Sequence, residues 1–172
     1  VAAADYAREK RWADEIVPAV MTGDPVWLEL ANSHKFLTLY TEADNAKAGV
    51  VVIHGLGVHP DWGLIAPLRQ ELPEAGYATL SAQMPVLRAD AKGDEYPPTF
   101  DEAAERIHQA VAFLKAKGYA KVALVSHSLG SRMAAHYLKK HTDAPVAAWV
   151  SIGPSVALDY GKVKFPVLDL YG

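Results

Sequence analysis

A continuous run of mostly β-branched residues, AGVVVIHG at 48–55, constrains the fold of this chain more than any other segment. The run has no polar face, so it suits a strand buried on both sides, as in a parallel sheet covered by helices. Further strand-like segments follow it and alternate with amphipathic helices. This alternation is typical of an α/β fold, with a mostly parallel sheet and helices on both faces.

The first 41 residues predict a helix and an antiparallel hairpin that precede this sheet. An Ala-rich segment, 2–21, reads as a helix that ends or kinks near Pro18. Its basic residues, Arg8 among them, alternate with acidic ones and are predicted to form a solvated helix face. Two short alternating segments, 26–31 and 35–41, predict the N-terminal antiparallel hairpin.

The rest of the chain is predicted to continue as a single domain that includes all of residues 1–172. Thr99 and Glu102 are predicted to form a capping box at the start of the clearest helix. Periodicity and stop signals predict further strands at 77–85, 121–126, 146–153 and 165–172. They predict helices at 64–76, 99–117 and 130–140.

Composition limits the partners of the protein. Hydrophobic residues make up 51% of the chain and charged residues 22%, which predicts a folded domain. The net charge is −3 and no basic face is clustered, so nucleic acid is not a predicted partner. No apolar run approaches the roughly 20 residues that a transmembrane helix needs. The opening VAAAD favours an exported protein after signal cleavage, with a cloning remnant as the alternative; the oligomeric state is left open.

The segment SHSLG, 126–130, carries the first chemical signal because it joins a predicted strand to a predicted helix. A serine on such a turn has an exposed hydroxyl, and the residues two before and two after it must be small. Gly130 meets this requirement, and Ser126 departs from G-x-S-x-G by one hydroxymethyl group that can hydrogen-bond locally. Ser128 is therefore predicted as a nucleophile, with the Leu129 N–H as an oxyanion donor at the positive end of a helix.

The segment HGLG, 54–57, is predicted to supply a second oxyanion donor. It follows a neighbouring strand, and ligands in open parallel sheets bind at the carboxyl ends of the strands. The Leu56 N–H is the predicted donor and the Gly57 N–H is the alternative; one such donor is worth about 3 kcal/mol of barrier. The competing interpretation is that both segments are only tight turns and that Ser128 has no catalytic role.

The same loop has features of two other kinds of site. The Gly-x-Gly pattern in HGLG is similar to the start of a dinucleotide-binding fingerprint, but Pro60 stands where the third glycine is needed. His54, His59 and Asp61 can be read as metal ligands, but their spacing matches no zinc pattern presented by a helix. The sequence therefore predicts neither a cofactor nor a metal.

The order strand–HGLG–helix and, about 70 residues later, strand–SHSLG–helix resembles the α/β-hydrolase superfamily. The stretch 54–85 also resembles a bacterial α/β-hydrolase-like family that is largely uncharacterised, and the resemblance covers about residues 36–172. It implies a serine hydrolase of the esterase or lipase kind that acts on a small-molecule ester or acyl substrate. It also implies Ser128 as nucleophile and the Leu56 and Leu129 amides as oxyanion donors.

The acid and the histidine of that superfamily have no match in this sequence. They follow the nucleophile along the chain, and FPVLDLYG resembles the strand before the acid. Asp169 lies inside that strand and is expected to face one side of the sheet. His141, the last histidine, is expected at the far end of its helix from the site. The C-terminal part of the fold is therefore expected to be missing, and the chain alone to be inactive.

Three interpretations of the missing base stay open. The chain can be a piece of a longer hydrolase whose acid and histidine lie beyond Gly172, or a non-catalytic binding relative of the superfamily. Alternatively, His127, His54 or His59 substitutes for the base. We expect His127 to be buried or to line the pocket, and His54 to fix its own loop by hydrogen bonding.

Overall fold

The computed structural model describes residues 3–154, 156–161 and 163–170, so the last two residues of the predicted strand 165–172 lie outside it. Within these ranges the chain forms four α-helices and seven strands. The helices are α1 Tyr6–Ala19, α2 Ile65–Glu71, α3 Phe100–Ala116 and α4 Leu129–Lys140. The strands are β1 Asp24–Glu29, β2 Lys35–Thr41, β3 Ala48–Ile53, β4 Tyr77–Ala82, β5 Val122–His127, β6 Ala148–Ile152 and β7 Val167–Leu170.

The seven strands form one mixed sheet in the order β1-β2-β4-β3-β5-β6-β7. The β1–β2 hairpin is antiparallel, and β2 also pairs antiparallel with β4. From β4 through β3, β5 and β6 to β7, every pair is parallel. The predicted fold class, a mostly parallel sheet with an N-terminal antiparallel hairpin, is confirmed.

Helices cover both faces of the sheet, as the unbroken apolar strands require. α1 and α2 pack on one face, where strand residues alternate inward at Leu37, Leu39, Val50, Val52 and Val125. α3 and α4 pack on the other face, which carries Phe36, Leu80, Val51, Ile53 and Leu124. Among the described helices, none combines the length and apolarity needed to traverse a bilayer.

The predicted capping box at the start of α3 is wrong. Thr99 has helical φ and ψ of −90° and −5° and makes no side-chain cap. Its hydroxyl instead donates to the Tyr96 carbonyl at 2.7 Å, because a 3₁₀ turn at Pro97–Thr99 runs directly into the helix. Glu102 accepts hydrogen bonds from Tyr6 and from Arg106, so the proximity of Thr99 and Glu102 in sequence did not reveal its partners.

Candidate functional site

The two loops singled out in the sequence leave the sheet at the same edge. β3 and β5 are adjacent and parallel, and Ile53 is in register with Ser126. HGLG follows β3 directly, and SHSLG ends β5 and begins α4. The loops therefore lie side by side at the carboxyl ends of the strands, where open parallel sheets bind ligands.

Ser128 occupies a strained backbone conformation between β5 and α4. Its φ is 53° and its ψ is −125°, a region that residues with a side chain rarely adopt. Its N–H donates to the Ile152 carbonyl of β6 at 3.0 Å, and its carbonyl accepts from the Ser131 N–H at 2.9 Å. The side chain is half-buried rather than sealed in the core. Such a turn presents a hydroxyl at the top of the sheet.

Gly130 and Gly55 allow the two loops to touch. A methyl group on Gly130 would lie 2.3 Å from the His54 carbonyl oxygen and 2.8 Å from that of Ile53. A methyl group on Gly55 would lie 3.1 Å from the Ser128 Cβ. The small residue expected two positions after the serine is thus required by backbone contact with the end of β3.

Ser126, which stands in place of the first glycine of the motif, is fully buried and hydrogen-bonded. Its hydroxyl accepts from the Trp149 indole at 2.8 Å and pairs with the Ser131 hydroxyl at 2.8 Å. Ser151 donates to the same Ser131 oxygen at 2.9 Å. The extra hydroxymethyl group therefore fits beneath the turn as part of a buried hydroxyl network. The local hydrogen bonding expected of Ser126 is present.

His54 fixes the HGLG loop and has no lone pair free for catalysis. Its Nε2 accepts from the Met84 backbone N–H at 2.8 Å, so the proton lies on Nδ1, which donates to the Gly55 carbonyl at 2.8 Å. Burial lowers the pKa of His54 to about 3, so the ring is neutral at neutral pH. Its bond to Gly55 orients the peptide group whose N–H belongs to Leu56.

The other candidate histidines do not meet the Ser128 hydroxyl. Within the described residues, no histidine nitrogen is hydrogen-bonded to it. His127 is half-buried beside Gly55, and burial lowers its pKa. His59 Nδ1 accepts from the Asp61 N–H at 3.2 Å. His141 caps the far end of α4 and stacks on His108 with 4.5 Å between ring centroids.

The residues of the alternative metal site on this loop, His54, His59 and Asp61, make hydrogen bonds or ion pairs with other protein groups. Asp61 pairs with the buried Arg69 at 2.7 Å, and both nitrogens of His54 are occupied by the backbone. Asp169, the late acid of the sequence, accepts from the Tyr160 hydroxyl at 2.9 Å and is in register with Ser151. These residues hold the scaffold together and do not converge on Ser128.

Arg8 contacts the HGLG loop, which its position in the sequence did not indicate. Arg8, expected on a solvated helix face, donates to the Gly57 carbonyl at 3.2 Å and to the Leu87 carbonyl at 2.6 Å. Its helix partner Glu9 is also buried, at 6% exposure. Helical spacing alone could have shown that positions 9, 13 and 16 share a face, but not that residue 8 reaches a loop nearly 50 residues away.

Comparison of the sequence with known families gives a match of unknown function. A family model described as a protein of unknown function (DUF3530) matches residues 21–104. No curated protein matches the sequence.

Solved structures resemble the chain despite low sequence identity. A dienelactone hydrolase-like promiscuous phosphotriesterase from metagenomic libraries has 20% identity and a TM-score of 0.69, over 88% of this chain and 68% of that one. An esterase of Pyrococcus furiosus has 17% identity and a TM-score of 0.62, over 79% of this chain and 52% of that one. The α/β hydrolase GrgF from Penicillium sp. sh18 has 15% identity and a TM-score of 0.60, over 76% and 45%. The chain thus spans about half to two thirds of the length of these structures.

Proposed function

Because the chain has the α/β-hydrolase fold, we propose that the protein that contains it is a serine hydrolase acting on carboxylic esters. Ser128 is the nucleophile, and the backbone N–H groups of Leu56 and Leu129 bind the oxyanion. The substrate is a small-molecule ester or acyl compound. The names of the structural neighbours, which include an esterase, are consistent with this chemistry.

One observation supports the proposal above the others: a serine with φ of 53° lies at a strand-to-helix turn that is packed against the HGLG loop. A strained backbone conformation persists only when the surrounding structure enforces it, and such strain clusters at active sites. Here the enforcement comes from the Ser128 N–H bond to β6 and from the contact of Gly130 with the end of β3.

The chemistry follows from the placement of these groups. The Ser128 oxygen attacks the ester carbonyl and its proton passes to a general base, forming a tetrahedral intermediate with a negative oxygen. Leu129 is the first residue of α4, so its N–H has no acceptor within the helix and is available to that oxygen. The Leu56 N–H belongs to the peptide group oriented by His54. Collapse of the intermediate breaks the bond to the alkoxide, which takes the proton from the base and leaves as the alcohol, and water then hydrolyses the acyl-enzyme.

The proposal requires a general base that the described residues do not provide. His54 is sealed in the backbone network, and His141 is at the wrong end of α4. In the superfamily that the chain resembles, the acid and then the histidine follow the nucleophile along the chain, and a histidine in that role is part of the proposal.

The test is covalent labelling of the full-length protein by a fluorophosphonate, combined with hydrolysis of p-nitrophenyl esters. Ser128→Ala should abolish labelling and lower kcat by at least about 10³-fold, because the neighbouring Ser126 and Ser131 hydroxyls are buried in their own hydrogen-bond network. Ser33→Gly is the matched control, since Ser33 is an exposed hairpin serine whose φ of 71° suits glycine. Labelling that persists in Ser128→Ala would overturn the assignment.

A second candidate function is a non-catalytic α/β-hydrolase-like binding protein. It is favoured by the absence of any histidine bonded to Ser128 within the described residues. It predicts that the full-length protein neither labels nor hydrolyses esters, yet gains thermal stability from a small-molecule ester. That combination would replace the hydrolase proposal.

A further inference from the structure

The Arg8 side chain on α1 bridges two backbone carbonyls from different parts of the chain. Nη1 donates to the Leu87 oxygen at 2.6 Å and Nη2 to the Gly57 oxygen at 3.2 Å. Gly57 is the last residue of HGLG. We propose that Arg8 is a positioning residue that holds the HGLG peptide groups in the orientation needed to bind an oxyanion; this inference rests on the proposed function.

The loop needs such a clamp because His54, its first residue, holds only the Gly55–Leu56 peptide and leaves Gly57 without an anchor from the loop itself. Gly57 has a φ of 61°, and glycine adopts many other conformations at little steric cost. A trans peptide group is planar, so fixing its carbonyl also fixes the direction of its N–H. His54 fixes the Gly55–Leu56 peptide, and Arg8 fixes the Gly57–Val58 peptide. The Leu56 N–H belongs to the first of these anchored peptides, and the Gly57 N–H belongs to the peptide between them, so its direction depends on both anchors.

The Arg8 anchor is itself held on both sides. Its guanidinium lies 4.5 Å from the centroid of the Trp12 ring, one turn along α1. The Leu87 N–H donates to the hydroxyl of the buried Tyr96 at 3.0 Å. The Asp5 N–H donates to the Val86 carbonyl at 2.7 Å, so the start of α1 is bonded to the same segment that Arg8 grips. The clamp therefore connects the loop to a rigid support rather than to a mobile chain.

Loss of the clamp should affect the transition state more than substrate binding. The oxyanion exists only in the transition state and intermediate, so a misoriented donor lowers kcat and leaves KM nearly unchanged. Outright removal of one oxyanion donor costs about 10²–10³-fold in kcat. For Arg8→Met, which loosens a donor without deleting it, we expect a loss of about tenfold to hundredfold.

The experiment compares Arg8→Met with Lys10→Met in the full-length protein. Lys10 is on the same helix but makes an exposed pair with Asp14, so it is a control for helix charge. Kinetics on p-nitrophenyl esters give kcat and KM, and hydrogen exchange reports on the amides of residues 55–58. Arg8→Met should lower kcat, leave KM within about twofold and speed exchange in that loop, whereas Lys10→Met should do none of these.

Two further measurements separate positioning from general destabilisation. Guanidinium at millimolar concentration should partly restore kcat in Arg8→Met, and sodium at equal ionic strength should not. Arg8→Lys should lose less than Arg8→Met, because its ammonium can still donate to one of the two carbonyls. It should still lose activity relative to the wild type, because one ammonium cannot span both carbonyls as the planar fork does. If Arg8→Met fails to fold, Arg8→Lys gives the same test at smaller amplitude.

The possible outcomes distinguish the two claims. An active Arg8→Met protein whose kcat and loop exchange match those of Lys10→Met would overturn the role of Arg8 and leave the hydrolase proposal intact. A wild-type protein that neither labels nor hydrolyses esters would overturn the proposed function and, with it, the oxyanion role of Arg8.

Discussion

At the scale of single residues, the candidate site depends on two glycines, because a Cβ atom at either position would keep its two loops apart. Gly130 and Gly55 lack the side-chain carbon that would separate the serine turn from the HGLG loop. Ser126 shows the limit of this requirement: its hydroxyl is accepted because Trp149 and Ser131 hydrogen-bond it beneath the turn. The turn tolerates one small polar group on the side of β5 and none on the side of α4.

Gly130→Ala should therefore destabilise the protein strongly. The new methyl group would lie 2.3 Å from the His54 carbonyl, a backbone atom that cannot move away without shifting β3. We expect a loss of about 3 kcal/mol, the upper end of the usual cost of overpacking, measured by urea unfolding. Gly93→Ala is the control: nothing lies within 4 Å of its added methyl, so stability should change by less than about 1 kcal/mol. Equal stabilities for the two variants would contradict the close approach.

The individual residues also show which parts of the site the sequence could predict. The turn at Ser128 was readable because a buried strand, a small-residue motif and a helix follow one another without interruption. The expectation that His54 fixes its own loop is confirmed, but its partner Met84, 30 residues away, and the Leu87 partner of Arg8, 79 residues away, have no signal in the sequence. No local pattern encodes which backbone group a side chain will meet across the fold, so an N-terminal arginine was assigned to solvent.

At the scale of elements, α1 is joined to α3 by a buried ion pair. Arg106 is fully buried and donates to both carboxylate oxygens of Glu9, at 2.7 and 3.0 Å. It also donates to Glu102 at 2.6 Å and lies over the Phe36 ring at 5.3 Å. The periodicity of the sequence located both helices correctly. It could not show that Glu9 and Arg106 would be buried, because each charged side chain is buried only where the other neutralises it.

Arg106→Met should destabilise the protein by about 3 kcal/mol, because it leaves the Glu9 carboxylate buried without its cation. Adding Glu9→Met should recover part of this loss, since the unpaired charge is removed and an apolar side chain replaces it. Denaturant unfolding of the two single variants and the double variant measures the coupling. Lys10→Met, which breaks only the exposed pair with Asp14, should cost no more than about 0.5 kcal/mol. Simple additivity of Glu9→Met and Arg106→Met would contradict the proposed coupling.

At the scale of the whole molecule, the two edges of the sheet differ in their protection. β1 forms one edge and carries Pro25 between acidic ends, features that discourage pairing with another strand. β7 forms the other edge, and in the described ranges no strand pairs with its outer side. Leu168 and Leu170 on β7 are 54% and 43% exposed. The parallel pairing and the N-terminal hairpin were predictable from hydrophobic patterning, whereas the order of the strands across the sheet and the exposure of these leucines depend on how the elements pack.

The 172-residue chain on its own should therefore self-associate through β7. Its unpaired backbone groups and two exposed leucines offer both hydrogen bonds and apolar area to a second copy. Leu168→Lys should weaken this association by at least about tenfold, because it places a charge where apolar area would be buried from each copy. Light scattering after size exclusion, over a range of concentrations, gives the mass. Met21→Lys is the control, since Met21 is 97% exposed but lies on the loop between α1 and β1, away from this edge. A wild-type chain that stays monomeric at every concentration, or a dimer that Met21→Lys disrupts equally, would show that β7 is not the contact.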